Sequence, residues 1–252
     1  MLDKRVIPTL LIESGKLVKS TRFKNLKYVG DPINAVKIFN EKFVDEIIII
    51  DITNKKSIKE PNFDLIENIA NECFIPLTYG GNIKSLGHAQ KLFKLGIEKI
   101  SVNSMLVENP KLVKSLVDNF GSSSIVASID YKRNFFNKIR VVNKKIKFSH
   151  KNLFDWISKV EKLGVGEFFI NSIDNDGMFN GMDVDTIKKV VLHSNIPIIF
   201  CGGVGSFEHI INSIKCGLPA VGVGSFFIFH GKFRAVLISY LNSNQILEIN
   251  EN

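Results

Sequence analysis

Two glycine-rich segments have the composition of phosphate-binding turns. One reads Tyr79-Gly80-Gly81-Asn82 and the other Cys201-Gly202-Gly203-Val204-Gly205, and each follows a short apolar run. Glycine lets backbone N–H groups approach an anion, and a helix that begins after such a turn favours negative charge. The apolar runs that come next end in the small polar pairs Asn103-Ser104 and Gly224-Ser225. Tight turns without a ligand are the alternative, but the doubled pattern favours two phosphate sites, formed by Gly81, Asn82, Asn103 and Ser104 and by Gly202, Gly203, Gly224 and Ser225.

Four charged residues stand at the starts of otherwise apolar runs. Glu46 and Glu167 open two of these runs, and Arg5 and Lys99 open two others. Charged groups at the mouth of a buried core are costly unless they neutralise one another. The pattern predicts a ring of two acids and two bases, which could either seal one end of the fold or gate it.

The elements that must position these residues alternate between strand and helix. Short apolar runs bounded by turn residues are typical of buried parallel strands, and they cover residues 6–12, 46–51, 75–79, 99–103, 124–130, 167–171, 197–201 and 220–224. Helical periodicity with capping residues covers 31–43, 61–73, 85–95, 110–119, 153–163, 184–193 and 206–216. This alternation fits an open doubly wound sheet or a closed barrel.

An internal repeat favours the barrel. Shifted by 121 residues, the stretch 46–104 falls on 167–225, and identical residues meet at many positions, among them Glu46 with Glu167 and His88 with His209. Four strand–helix units repeated twice make eight and close naturally into a ring. We therefore expect one (β/α)8 TIM-barrel domain over residues 1–252, with half-barrels of approximately 1–120 and 121–252.

Composition narrows the class of protein. The chain of 252 residues is 45% apolar, but no apolar run approaches the ~20 residues of a membrane span, and no signal segment follows Met1. Cys73, Cys201 and Cys216 suggest neither a disulfide framework nor zinc, which predicts a cytoplasmic protein. The net charge is +8, but no basic run is interleaved with the aromatic residues that stack on the bases of single-stranded nucleic acids. We therefore expect no nucleic-acid partner. The histidines show no ligand spacing, and we expect no metal and no cofactor.

Motifs along the chain resemble the HisF family, the cyclase subunits of imidazole glycerol phosphate synthase. The motifs include Lys4-Arg5-Val6-Ile7-Pro8, Gly30-Asp31-Pro32, Ser128-Ile129-Asp130 and residues 172–177. The resemblance implies a HisH-like glutaminase on the N-terminal face of the barrel, and ammonia that crosses the barrel to a bisphosphorylated substrate. It implies catalysis by Asp130, an ammonia gate of Arg5, Glu46, Lys99 and Glu167, and substrate contacts from Lys19, Asp51, Asn171 and Asp176.

The sequence departs from the family where acid/base chemistry is expected. The family has a second catalytic aspartate on the first strand, and this chain has Leu11 there. Leucine cannot carry a proton, and losing one general acid or base typically costs about 10²–10⁴-fold in rate. Glu13 is a poor substitute because we expect it in the following loop. The segment 144–149 and Asn82 depart from the family's glycine-rich patterns as well.

Residues 224–238, 31–40 and 8–11 are similar to the WbuZ-type HisF paralogues of surface-polysaccharide gene clusters. That resemblance implies an ammonia-delivering subunit, paired with a HisH-like glutaminase and possibly a sugar amidotransferase that builds acetamidino groups. Two alternatives remain open. One is a genuine cyclase that uses Asp130 with Asp176 or Glu13, and the other is a non-catalytic scaffold that binds a phosphorylated small molecule.

Overall fold

A computed structural model describes residues 4–53, 60–143 and 152–251 of the chain. Within these residues, eight parallel strands form a closed barrel, because the last strand pairs with the first and sets Arg5 opposite Ala220. The strands are β1 (Arg5–Glu13), β2 (Ile47–Asp51), β3 (Leu77–Gly80), β4 (Lys99–Val102), β5 (Ile125–Arg133), β6 (Glu167–Ser172), β7 (Ile198–Cys201) and β8 (Ala220–Val223). The predicted (β/α)8 TIM barrel is confirmed, and the open sheet is excluded.

Each predicted helix is present, and the main differences lie at the ends. The barrel helices are Pro32–Glu41, Phe63–Asn71, Leu86–Lys94, Pro110–Phe120, Leu153–Glu161, Val184–His193 and Phe207–Ile214. Several residues predicted to begin a helix are N-cap residues, which lie one position before the first helical residue. The Asp31 carboxylate, for example, accepts the Asn34 N–H from outside the first turn. Shorter helical segments, Met105–Glu108, Ser122–Ser124 and Ser225–Phe227, and a C-terminal helix, Ser243–Glu251, were not predicted.

Side chains along β1 alternate between two separate cores. Val6, Leu10 and Ile12 face outward and pack in the large core beneath the helices. Ile7 faces inward, where it belongs to a second cluster that fills the middle of the barrel. The inner cluster consists of Ile7, Ile48, Val126, Phe169, Ile199 and Ala220. The barrel interior is therefore an apolar layer with polar residues at each end.

Among the described residues, three antiparallel hairpins extend the strands beyond the C-terminal end of the barrel. In the β1 hairpin Lys16–Thr21 pairs with Lys24–Gly30, and in the β5 hairpin the end of β5 pairs with Ile139–Val142. In the β8 hairpin Phe229–His230 pairs with Ala235–Val236. The expectation that Glu13 lies in a loop was wrong, because Glu13 is the last residue of β1 and pairs with Lys16 across the first turn of its hairpin.

In the described part of the chain, no helix is long and apolar enough to cross a membrane.

Candidate functional site

The four charged residues predicted to form a ring meet at the N-terminal end of the barrel. The Arg5 guanidinium donates to Glu46 at 2.8 Å and to Glu167 at 2.5 Å. The Lys99 ammonium reaches the same two carboxylates, at 3.2 Å to Glu46 and 3.0 Å to Glu167. Each cation therefore bridges both anions, and the four ion pairs form a closed circuit.

The carboxylates of this ring are its buried members. The side chains of Glu46 and Glu167 are only 3% and 7% exposed, whereas those of Arg5 and Lys99 are 25% and 17% exposed. The Thr78 hydroxyl, from β3, donates to Oε1 of Glu46 at 2.8 Å. Burial alone would lower the pKa of Arg5, but the charges and hydrogen bonds of Glu167 and Glu46 raise it above its ordinary value. Arg5 therefore stays charged at neutral pH.

A cavity of about 630 Å³ opens outside the ring on the same face. Arg5, Lys99 and Glu167 form part of its wall, and the remainder includes Phe43, Tyr240 and residues of the C-terminal helix such as Ile249. The Tyr240 hydroxyl donates to the Val6 carbonyl oxygen at 2.7 Å, which fixes the approach to that helix.

Ser101 lies two residues beyond Lys99 on β4, and the alternation along the strand places it inside the barrel with Lys99. Its side chain is buried, and among the described residues its hydroxyl is the buried side-chain polar atom that has no hydrogen-bond partner. An unsatisfied buried hydroxyl is costly and therefore calls for an explanation. The sequence analysis missed both Ser101 and Thr78. Ser101 could have been found from its position two residues after Lys99, but Thr78 lies on β3, which contributes no residue to the ring.

At the opposite end of the barrel, amide side chains hold Asp130. One Asp130 carboxylate oxygen accepts from Asn103 at 2.9 Å, and the other accepts from Asn171 at 3.1 Å. Asn143, another residue that the sequence analysis missed, donates to the Asn103 side-chain oxygen at 2.9 Å. Leu11 occupies an inward-facing position of β1, in register with Ile50. The predicted catalytic carboxylate is thus positioned by amides, and the position of its predicted partner is apolar.

Lys19 turns from the β1 hairpin into the mouth of the barrel. Its ammonium donates to the Thr9 carbonyl oxygen at 2.5 Å, and the side chain is buried. A Cβ added at Gly224 would lie 3.0 Å from the Lys19 nitrogen, so the lysine reaches the predicted β7–β8 phosphate site. Burial lowers the pKa of Lys19 to about 8, against the charges of Cys201 and Asp176. Burial likewise raises the pKa of the Cys201 thiol to about 12.

Asp176 fastens the β1 hairpin to the loop after β6. Its carboxylate accepts from the Ser20 hydroxyl at 2.6 Å and from the Phe23 N–H at 3.1 Å. The Arg22 N–H donates to the Asp176 carbonyl oxygen at 2.9 Å. This predicted substrate ligand therefore already has partners, which hold the hairpin against the loop after β6.

Both glycine-rich turns adopt backbone conformations that explain their composition. Gly81, Gly202 and Gly203 have φ of 142°, 110° and 105°. A Cβ at Gly81 would lie 2.6 Å from the Asp51 carbonyl oxygen. Asn82 has φ of 53°, a left-handed conformation that asparagine tolerates better than most residues. The departure at Asn82 therefore preserves the course of the turn.

A histidine braces each turn in the same way. The Lys84 N–H donates to Nδ1 of His88 at 3.3 Å, and the Gly205 N–H donates to Nδ1 of His209 at 3.1 Å. Donors and acceptors are both separated by the 121 residues of the sequence repeat. The sequence repeat aligns His88 with His209, but it does not explain why both positions are histidine. The sequence analysis therefore missed their role as hydrogen-bond acceptors for the two turns.

The strand register brings the members of each predicted phosphate site to adjacent strand ends. Gly80 is opposite Ser101, and Cys201 is opposite Gly222, so the residues that follow emerge side by side. Asp51 lies beside the first of these sites, where it accepts from the Thr53 N–H at 2.8 Å and the Tyr79 hydroxyl at 3.3 Å. Burial and the Asp51 charge raise the pKa of Tyr79. Segment 144–149 lies outside the described residues.

Removing one cation from the ring should destabilise the fold. In Arg5→Met, the two buried carboxylates would share Lys99 alone, and breaking a buried pair in this way costs about 3–5 kcal/mol. Urea unfolding at pH 7 measures the loss. Lys37→Met is the matched control, because it removes the exposed Lys37–Glu72 pair and should cost less than about 1 kcal/mol. Equal effects of the two variants would contradict a buried, coupled ring.

The lowered pKa of Lys19 should give a pH-dependent stability. The unfolded chain binds more protons than the folded chain between pH 8 and 10.5, because 10.5 is the ordinary lysine value. The free energy of unfolding of the native chain should therefore rise with pH in this window, by on the order of 1 kcal/mol per pH unit relative to Lys19→Met. Urea titrations between pH 7 and 9.5 test this, with Lys16→Met as the control. Parallel curves for the native chain and Lys19→Met would contradict the burial of the amine.

Known proteins resemble this chain over nearly its whole length. The family described as histidine biosynthesis protein matches residues 5–234. A Pseudomonas aeruginosa protein named "Putative imidazole glycerol phosphate synthase subunit hisF2" is 44% identical over 248 residues, which cover 98% of this chain and 99% of that protein. A HisF-named protein of Leptospira borgpetersenii is 44% identical, with 96% of each chain covered. The imidazole glycerol phosphate synthase subunit HisF of Streptococcus mutans is 36% identical, with 91% of this chain and 92% of that protein covered. The chain belongs to the histidine biosynthesis protein family and is a HisF-like subunit.

Proposed function

We propose that this chain passes ammonia through its barrel, from a HisH-like glutaminase on the N-terminal face to an acceptor at the C-terminal mouth. The nitrogen would amidate a sugar of a surface polysaccharide. The contrast between the two ends carries the proposal: the charged ring is complete and its carboxylates are buried, whereas the inward position 11 beside the C-terminal mouth is leucine.

The N-terminal face offers a docking place for the glutaminase. The cavity lies directly outside the ring, and Arg5, Lys99 and Glu167 of the ring form part of its wall. Phe43, at the cavity edge, and Phe74, in the next loop of this face, are 86% and 84% exposed. Large exposed aromatics of this kind are typical of interface anchors. Ammonia released there would be separated from the barrel interior only by the ring.

The interior supports the transit of a small neutral molecule. Beyond the ring, Thr78 and Ser101 offer hydroxyls, and the Ser101 hydroxyl is unsatisfied within the described residues. The apolar layer that contains Ile48 and Val126 disfavours charge. This layer would favour ammonia over ammonium, because an unpaired ion in an apolar medium is very costly. The hydroxyl of Ser101 would give ammonia a hydrogen-bond partner on the way.

The C-terminal end supports a reaction other than ring closure. A cyclase needs proton transfers in both directions, and Asp130 has no carboxylate opposite it at position 11. The two proposed substitutes are poorly suited. Asp176 is bonded to Ser20 and Phe23, and Glu13 is at the end of β1, where the strand leaves the barrel for its hairpin. Ammonia delivery to a separate acceptor enzyme requires no second carboxylate here.

We place the reaction in the cytoplasm, and we propose that the braced glycine turns bind a phosphorylated small molecule. The thiols of Cys73, Cys201 and Cys216 are free, as a reducing compartment favours. The turns retain the backbone conformations that an anion site requires. A pure scaffold role would use these turns alone and would have no need of the buried ring.

Blocking the interior should separate the two sources of nitrogen. Ser101→Leu adds bulk inside the barrel, so transfer from ¹⁵N-glutamine in the reconstituted glutaminase complex should fall at least tenfold. Transfer from ¹⁵N-ammonium salt should stay within about twofold, because ammonia then enters from the open C-terminal side. Ser101→Ala, which removes the hydroxyl without filling the space, is the control for folding. Equal losses from both nitrogen sources in Ser101→Leu would contradict a passage through the barrel.

Cyclase turnover decides between the proposed function and the histidine-biosynthesis alternative. We expect the native chain, supplied with the cyclase substrate and ammonium salt, to form imidazole glycerol phosphate at least about 10²-fold more slowly than Leu11→Asp, because a missing general acid or base costs that much. The product is measured by chromatography, and Leu11→Asn, which cannot act as a base, is the matched control. Fast native turnover that Asp130→Asn abolishes would establish the cyclase instead.

A further inference from the structure

The positive charge of the chain is concentrated in the three hairpins at the C-terminal mouth. Residues 14–30, 131–143 and 224–237, which contain these hairpins, hold eleven Lys and Arg and no Asp or Glu. Because the whole chain has a net charge of +8, all other residues together carry a net charge of −3. We call these three segments the basic rim. An acidic surface is its electrostatic complement.

The basic rim also carries most of the exposed large apolar side chains. In the described part of the chain, seven of thirteen such residues belong to it: Leu26, Tyr28, Phe135, Phe136, Phe233, Val236 and Leu237. Five others lie at the N-terminal end, namely Phe43, Phe74, Leu192, Ile246 and Leu247. Phe135 and Phe233 are 97% and 93% exposed. Exposed apolar side chains that are surrounded by charged residues are characteristic of protein-binding surfaces.

The three hairpins surround the mouth from opposite sides. Lys27 lies over the Phe229 ring at 4.9 Å, which joins the β1 and β8 hairpins. The β5 hairpin rises on the other side of the barrel, where the rings of Phe135 and Phe136 meet edge to face at 5.6 Å. A binding partner that contacts all three hairpins would cover the mouth and would receive the ammonia that leaves it.

The unpaired strand edge of the β1 hairpin favours a protein as the molecule that covers the mouth. Strand Lys24–Gly30 pairs on one side with Lys16–Thr21, and within the described residues its other edge has no strand partner. Leu26 and Tyr28 lie along that strand rather than at the hairpin tip. An unpaired edge can add a strand of another protein, and a lipid surface offers nothing equivalent.

We propose that the basic rim is the docking surface for the ammonia-consuming enzyme, whose matching surface is acidic with apolar recesses. This inference rests on the proposed function, since it assigns a protein to the outlet of the barrel. The exposed aromatics anchor the complex, and the rim charges set its rate of association and its sensitivity to salt. The barrel is then held between two proteins, one at each end.

Photo-crosslinking in the native cell tests which class of molecule covers the mouth. The probe is p-benzoylphenylalanine, placed at Phe135 and at Phe233, with Lys188 on the outer surface of the barrel as the control position. We expect both rim positions, and not position 188, to crosslink one common protein. Crosslinks to lipid or RNA alone, or to no protein common to both positions, would overturn the proposal.

The crosslinked protein is then purified, and its affinity is measured by titration calorimetry. The double variant Lys138→Glu and Lys232→Glu should bind it at least tenfold more weakly than the native chain, and the native affinity should fall as salt rises. The matched control Lys188→Glu and Lys189→Glu carries the same charge change and should bind within about twofold of the native chain. Unchanged binding by the rim variant, or equal loss in both variants, would overturn the docking surface.

Transfer of ¹⁵N from glutamine tests ammonia delivery separately from the docking surface. Charge-dependent binding at the rim without transfer of ¹⁵N from glutamine would contradict ammonia delivery but leave an acidic partner in place. Transfer of ¹⁵N that persists undiminished in the rim variant would leave ammonia delivery standing and remove the docking surface. Flotation with phosphatidylglycerol vesicles gives a third readout, because native binding that the rim variant loses would assign the rim to a membrane.

Discussion

The structure depends on the need to neutralise two buried carboxylates at the bottom of a closed barrel. Glu46 and Glu167 stand at the starts of equivalent strands of the two halves, and their buried charges would be costly there without Arg5 and Lys99. The two cations come from β1 and β4, so the circuit ties together residues distant in sequence. Such a network contributes little net stability compared with apolar packing, but removing one member is costly. The same charges that constrain the fold also close the N-terminal end of the barrel.

The sequence predicted best the features that arise from periodicity and repetition. The eight strands, their helices and the ring followed from short apolar runs, capping residues and charges at strand starts. The glycine turns were recognised because glycine lets backbone N–H groups approach an anion and because the pattern occurs twice. By contrast, the polar contacts around Asp130 involve Asn103, Asn143 and Asn171 from three parts of the chain, and spacing along the sequence does not reveal which amides will meet.

The β1 hairpin shows why a local signal can be missing. Its tip residues Arg22 and Phe23 both have positive φ, at 51° and 58°, in place of the Asn-Gly that usually makes such a turn. The strain is offset by Asp176, which binds the N–H groups of both residues from the other half of the chain. A turn stabilised by a distant residue has no sequence signature of its own. The same applies to the histidine that braces each glycine turn. The sequence shows that a histidine is present, but it does not show that the ring nitrogen Nδ1 accepts a hydrogen bond from the turn.

The contact of Asp176 with the β1 hairpin has a mechanical consequence. Ser20 and Phe23 belong to the first half of the chain, and Asp176 belongs to the second, so the hairpin is a strap across the seam between the halves. Lys19 is anchored on the same strap, with its amine on the Thr9 carbonyl oxygen. Any displacement that lifts the strap must break the Asp176 bonds and withdraw a buried amine in a single movement. The Asp176 bonds therefore join the first and second halves of the chain at the C-terminal mouth, and the position of Lys19 depends on the same contact.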